Sequence, residues 1–175
     1  MAFILRALVL FACSIATAHA WSAPSEAVVK AALVANLANY AQWQDHNWPT
    51  NRTLICVAGR GPVADALQAL DGQVLYGRTV SVSLRLRPAD ARDCQVLYLG
   101  DGVARSSAEW LMELAGSSVL TVGDGEDFPL NGGVVGLIRD GNRVGFDISL
   151  SASRRANIRF SAHLLRLARN VLGGR

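Results

Sequence analysis

The fold is decided by residues 54–59, which read Leu54-Ile55-Cys56-Val57-Ala58-Gly59. Five consecutive apolar residues closed by a glycine are typical of a strand that is buried on both faces of a sheet. The segment from Cys94 to Leu99 is similar and ends at Gly100. Between the two, Gly61-Pro62 opens a helical pattern that continues to Leu70. Two buried strands with a helix between them predict a largely parallel α/β sheet.

Further strands and helices are predicted on either side of this unit. Residues 80–86 alternate apolar and polar side chains, which indicates a strand with one wet face, and residues 119–122 form another apolar strand. Apolar residues at three- and four-residue spacing predict helices at three places. These helices run from Pro24 to Gln42, from Ser106 or Ser107 to Ala115, and from Ser161 to Leu172.

The last third of the chain contains a hairpin signal. Two strand-like runs, Gly133–Arg139 and Arg143–Leu150, flank Asp140-Gly141-Asn142. An Asp-Gly pair between two such runs strongly favours a β-hairpin turn. The predicted fold class is therefore α/β, a three-layer sandwich with a mainly parallel central sheet, a C-terminal β-hairpin and flanking helices.

The first twenty residues predict a secretory signal peptide. Arg6 gives a positive start, an apolar run extends from Ala7 to Ala16, and Ala18-His19-Ala20 fits an A-x-A cleavage site. The run is shorter than the roughly 20 apolar residues that a membrane-spanning helix needs. We therefore expect a signal peptide at 1–20 and a single exported domain at 21–175.

Charge and cysteine usage agree with an exported binding protein. Loss of Arg6 lowers the formal net charge from +3 by one unit, which is too weak a charge for nucleic-acid binding by charge alone. Cys13 leaves with the signal peptide, so Cys56 and Cys94 remain as an even pair. In an oxidising compartment such a pair is a reasonable disulfide. Two buried free thiols are the alternative, and a zinc site would need nearby histidines.

No catalytic, metal or cofactor site is predicted, and the chain is not expected to be an enzyme. A nucleophile needs a base beside it. His46 and His163 belong to no motif that brings a serine or cysteine to them. Asp124, Glu126 and Asp127 are too few for a calcium cage and are interpreted as a solvated loop.

Two glycine-containing loops follow the buried strands. Gly59-Arg60-Gly61 and Gly100-Asp101-Gly102 each precede a predicted helix, where backbone amides could hold an anion. Neither loop completes a nucleotide-binding motif, and turn formation alone also explains them.

Several segments, taken in order, resemble the YfiR/HmsC-like family. The resemblance begins with the helix that contains Lys30-Ala31-Ala32 and Asn36, and continues through the two cysteine-bearing strands. Its most specific part is the end, where Phe146-Asp147-Ile148-Ser149-Leu150 precedes Arg154-Arg155-Ala156 and a final leucine-rich helix. Asp147 stands where the family usually has Glu.

The resemblance implies a periplasmic repressor that binds the periplasmic sensor region of an inner-membrane diguanylate cyclase. Cyclic-di-GMP and biofilm formation would then rise when repression is lost. The resemblance implies no cofactor and no reaction, and it implies that the protein is often a homodimer. A periplasmic small-molecule-binding protein that uses the crevice near Gly59 and Gly100 is the alternative.

The expected partner-binding residues lie around the hairpin and the segment after it. We expect Val135, Phe146 and Asp147 at the contact, with Arg154 and Arg155 at its rim. Phe146 on an alternating strand could equally belong to the core. Three further arginines in this region could meet an acidic partner or form a solvated helix face: Arg159, Arg166 and Arg169.

Overall fold

The computed structural model of the protein describes residues 24–44, 48–141 and 143–174. The predicted signal peptide, His46 and Asn142 lie outside the described residues. In chain order the helices and strands are α1 (Glu26–Tyr40), β1 (Ala41–Trp43), β2 (Arg52–Ala58), α2 (Pro62–Gln68), β3 (Val74–Leu75), β4 (Arg78–Leu84), β5 (Val96–Leu99), α3 (Ser107–Glu113), β6 (Leu120–Asp124), α4 (Asp127–Leu130), β7 (Val135–Asp140), β8 (Arg143–Ser149), α5 (Leu150–Arg155), β9 (Ile158–Phe160), α6 (Ala162–Leu167) and β10 (Asn170–Leu172).

The central sheet has eight strands in the order β10-β8-β7-β6-β5-β2-β4-β3. All neighbours are parallel except the β7–β8 hairpin and the β3–β4 edge pair. Strands β1 and β9 form a separate antiparallel pair. The predicted fold class is thus confirmed, including the mainly parallel sheet and the C-terminal hairpin.

Both faces of the sheet are apolar, because successive side chains along a strand point alternately into two core clusters. Ile55 and Val57 of β2 pack into the larger cluster, with α1 and α2. Cys56 and Ala58 of the same strand pack into the smaller cluster, with Trp110 of α3. A continuous apolar run is therefore needed at this strand, as the sequence indicates.

The last helix is shorter than predicted, because a buried carboxylate draws the chain into the sheet. Helix α6 ends at Leu167, and residues 170–172 form β10 beside β8. The backbone N–H of Asn170 donates to Asp147 Oδ1 at 3.0 Å, and that of Arg169 donates to the Phe146 carbonyl at 2.9 Å. These contacts replace the hydrogen bonds that a longer helix would have made.

Strand β4, predicted from the alternating pattern of residues 80–86, also differs from its prediction. It ends at Leu84, and Leu84 and Leu86 are exposed, at 53% and 89% of their surface. The two-residue strand β3 covers only the start of β4. The alternation predicted the strand correctly, but it could not show that the apolar side chains at its far end are exposed.

Candidate functional site

Three of the five predicted partner-binding residues are buried. Val135 is fully buried, and Phe146 and Asp147 are 6% and 3% exposed. Their strands β7 and β8 lie inside the sheet, since β6 and β10 flank them. Burial of this degree argues against direct contact with a partner through these three side chains. Of the five residues, Arg154 and Arg155 are exposed and could contact a partner.

Asp147 is a structural anchor within the chain. Its carboxylate accepts hydrogen bonds from Arg169 Nε at 3.1 Å and Nη2 at 3.0 Å. The Asn170 side-chain amide also donates to it. Burial alone would raise the pKa of Asp147, but the hydrogen bonds from Arg169 and Asn170 outweigh burial and hold that pKa below its usual value. Asp147 therefore stays ionised and fixes β10 against β8.

Helix α5 presents Arg154 and Arg155 on a well-anchored turn. Ser149 caps the helix by accepting a hydrogen bond from the Ala152 N–H, and the buried Ser153 hydroxyl donates to the Ile158 carbonyl at 2.9 Å. Arg154 donates to the Gly173 carbonyl at 2.9 Å. Arg155 makes no hydrogen bond or ion pair with the part of the chain that the structure describes. Its guanidinium is thus available to another molecule.

A cleft of about 320 Å³ opens beside Arg155. Residues of α3 and the turn after it form one wall, including Leu111, Met112 and Ala115. Val119 and Val134, which lie just before β6 and β7, also line the cleft. Among the fifteen described residues that line the cleft, Arg155 alone carries a charge. The cleft therefore combines apolar walls with one cationic group.

The two glycine loops pair with each other through their backbones. The Arg60 N–H donates to the Asp101 carbonyl at 2.9 Å, and the Asp101 N–H donates to the Arg60 carbonyl at 2.8 Å. A Cβ on Gly59 would lie 2.5 Å from the Asp101 carbonyl oxygen, so the close approach requires glycine. The loops are thus explained by turn formation and mutual pairing. This pairing lies where the small-molecule alternative expects its crevice, near Gly59 and Gly100.

A polar cluster around the buried Lys30, which the sequence reasoning missed, joins α1 to the sheet. Lys30 Nζ lies 2.7 Å from Asp124 Oδ1 and 3.0 Å from Glu26 Oε1. The Tyr98 hydroxyl donates to Asp124 Oδ2 at 2.7 Å. Arg139 completes the cluster by pairing with Glu26. One signal was available in the sequence, because Lys30 lies one turn before Val34 within the buried face of α1.

Tyr98 and Lys30 of this cluster keep their protons near neutral pH. Burial, followed by the hydrogen bond to Asp124, raises the pKa of Tyr98, so its phenol remains protonated. Burial would lower the pKa of Lys30, but Asp124 and Glu26 raise it overall. A general acid or base works best with a pKa near the operating pH. The cluster is therefore suited to holding α1 in place.

The remaining predicted groups have structural partners. Glu126 pairs with Arg169, and Asp124 belongs to the Lys30 cluster. The His163 ring lies against Tyr40, with 5.8 Å between ring centroids. Across residues 24–44, 48–141 and 143–174 no three or more His, Cys, Asp or Glu side chains are grouped to hold a metal ion. Over the same ranges no helix has the length and apolar character to cross a bilayer.

Cys56 and Cys94 are joined in the structure, with their Cα atoms 5.8 Å apart. Both side chains are fully buried in the smaller core cluster. The bond links β2 to the loop just before its neighbour β5. The geometry thus agrees with the predicted pairing, and the pairing in the exported protein stays a prediction for mass spectrometry to test.

Comparison with known proteins gives one family and a set of structural neighbours. The YfiR/HmsC-like family model matches residues 27–169. Comparison with curated proteins gave no significant match. A solved structure described as a conserved domain protein from Vibrio cholerae O1 biovar El Tor is similar, with a TM-score of 0.59 and 13% identity. The match covers 84% of this chain and 60% of that one.

A second similar structure is described as the ABC domain in complex with L-Trp from Streptococcus pneumoniae. Its TM-score is 0.51 at 10% identity, over 69% of this chain and 55% of that chain. The present chain thus spans about three fifths of the length of the structures it matches. At these identities the two structures show a shared α/β fold and nothing more.

Proposed function

The chain belongs to the YfiR/HmsC-like family, and on that premise we propose that it is a periplasmic protein that represses a membrane-bound diguanylate cyclase. The observation that carries the proposal is the family match over residues 27–169. The repressor binds the periplasmic sensor region of the cyclase, which lowers cyclic-di-GMP and biofilm formation. Repression of this kind requires tighter binding to the inactive state of the cyclase than to its active state, because equal affinity shifts no equilibrium.

Two features of the molecule support this proposal. The buried Cys56–Cys94 pair suits an oxidising compartment such as the periplasm. The predicted signal peptide at 1–20 would deliver the chain there. The homodimer that the family resemblance implies stays a prediction.

We place the partner contact on an exposed basic surface, defined by Arg154, Arg155, Arg159 and Arg166. These four arginines are exposed on α5, β9 and α6. Arg169 is left out because Asp147 and Glu126 hold its guanidinium. Arginine is enriched at protein interfaces and among the residues that dominate binding. We expect the sensor region of the cyclase to bind this surface through acidic side chains.

The proposal predicts co-purification with a cyclase. The exported protein, tagged at its C-terminus and recovered from detergent-solubilised membranes, should bring down a diguanylate cyclase that has a periplasmic sensor region. The double variant R154E/R155E should bind that sensor region at least about tenfold more weakly, since truncated hot-spot residues cost roughly 2 kcal/mol or more.

The matched control is R52E/R105E. It makes the same change in net charge at exposed arginines outside the basic surface. Equal retention of the cyclase by both double variants would contradict the proposed surface. Failure of the wild-type protein to recover any cyclase would contradict the proposed function itself.

A further inference from the structure

We infer that the cleft beside Arg155 is a binding site for a small amphipathic carboxylate, a molecule with one carboxylate and an apolar body. The inference concerns the purified protein alone and does not depend on the proposed repression of a cyclase. It rests on the shape of the cleft, on the chemistry of its walls and on the state of Arg155.

The cleft has the size and character of a ligand site. Its volume of about 320 Å³ falls at the lower end of the roughly 300–1,000 Å³ that small-molecule sites occupy. Leu111, Met112, Val119 and Val134 give it apolar walls. Met112, which lines the cleft, is 71% exposed. A ligand with an apolar body would cover this surface.

Arg155 selects the polar end of the ligand. Its Nη2 atom and Leu111 Cδ1 both lie 3.9 Å from the point where a Cβ on Gly132 would stand. Gly132 has no side chain and a φ of +103°, so this space is open and a side chain there would be strained. The cationic group and an apolar wall therefore flank the same space. One ligand can contact both at once.

The charge pattern favours a carboxylate over other ligands. No acidic residue is found among the described residues that line the cleft, so an ammonium group would find no opposite charge there and would be repelled by Arg155. The planar guanidinium matches a carboxylate through two parallel hydrogen bonds. Asn131 also lines the cleft, and its side-chain amide makes no hydrogen bond with the described residues. A carboxylate would satisfy both groups.

Octanoate is the probe for this site. Titration of the full exported protein in a calorimeter should show saturable binding of octanoate. Octylamine has the same apolar chain with the opposite charge and should not bind. Acetate keeps the carboxylate but lacks the apolar body, and its affinity should be at least about tenfold lower, since each buried methylene contributes roughly 0.8 kcal/mol.

Two variants test the two halves of the site. Arg155→Gln should weaken octanoate binding at least about tenfold, because hydrogen bonds to a charged group contribute roughly 1.5–3 kcal/mol. Arg105→Gln is the control, since Arg105 is exposed, does not line the cleft and lies outside the basic surface. Ala115→Phe should abolish binding by filling the cleft, and the exposed position of Ala115 leaves the core unchanged.

Three results would overturn the inference. The first is the absence of octanoate binding to the wild-type protein. The second is equal binding by R155Q and R105Q, which would reveal non-specific apolar association. The third is unchanged binding by A115F. Thermal unfolding of each variant shows that it is folded, and if R155Q fails to fold, A115F alone decides the result.

Discussion

Simultaneous replacement of Cys56 and Cys94 by alanine should lower the free energy of unfolding by about 3–4 kcal/mol. The disulfide closes a loop between positions 38 residues apart, and a loop of that length gives a stabilisation of this size in the chain-entropy model. Both cysteines are fully buried where β2 meets the segment before β5, so the loss falls on the centre of the sheet. Urea unfolding of the wild-type and double-variant proteins measures the difference.

Reductant provides the matched control. Dithiothreitol should destabilise the wild-type protein by a similar amount and leave C56A/C94A unchanged. Mass spectrometry of the exported protein without reductant should show one peptide pair linked through Cys56 and Cys94. Two freely alkylated thiols in that material would contradict the disulfide.

Replacement of Asp147 by alanine should lower the free energy of unfolding by about 2–3 kcal/mol. Removal of one partner from a fully buried ion pair costs roughly 3–5 kcal/mol. The cost is smaller here because the Arg169 side chain is 33% exposed and keeps Glu126 as a partner. The expected loss of about 2–3 kcal/mol comes mainly from the hydrogen bonds that the charged carboxylate of Asp147 makes and that the alanine variant loses. Strand β10 should detach first, which amide hydrogen exchange at residues 170–172 would report.

The effect of Asp147 should depend on pH. Its pKa is lower in the folded protein than in the unfolded chain, where it is about 3.9. The ionised carboxylate therefore stabilises the fold above roughly pH 4, and this contribution is lost as the pH falls through the folded pKa. The wild-type protein and D147A should thus converge in stability at acid pH.

Asp140→Ala is the control for D147A. Asp140 is an exposed carboxylate at the tip of the same hairpin and makes no side-chain hydrogen bond with the residues described. Its removal should change stability by less than about 0.5 kcal/mol, as is usual for exposed positions. An equal loss for the two variants would contradict the anchoring role of Asp147.

The sequence predicts the central strands well because each carries a local signal. The apolar runs at β2 and β5 and the Asp-Gly turn between β7 and β8 need no information from elsewhere in the chain. Strand β10 could not be predicted in this way. Its residues fit a helical pattern, and contacts with β8 turn them into a strand, among them the hydrogen bond between Asp147 and Asn170, 23 residues apart.

The candidate site was predictable only in part. Exposed arginines after the hairpin follow from the sequence, whereas the burial of Phe146 depends on its packing into the larger core cluster. The Lys30 cluster joins positions 94 residues apart, so neither partner alone reveals it. The cleft beside Arg155 brings together α3, the starts of β6 and β7, and α5. Such a recess is a property of tertiary packing, which residue spacing does not encode.

Repression of a diguanylate cyclase from the periplasm is tested most directly by the cellular concentration of cyclic-di-GMP. Deletion of the gene should raise that concentration, and the full-length chain supplied in trans should restore it. A chain that lacks residues 1–20 should fail to restore it, because it would remain in the cytoplasm. Unchanged cyclic-di-GMP after deletion, or full restoration by the chain without residues 1–20, would contradict the account.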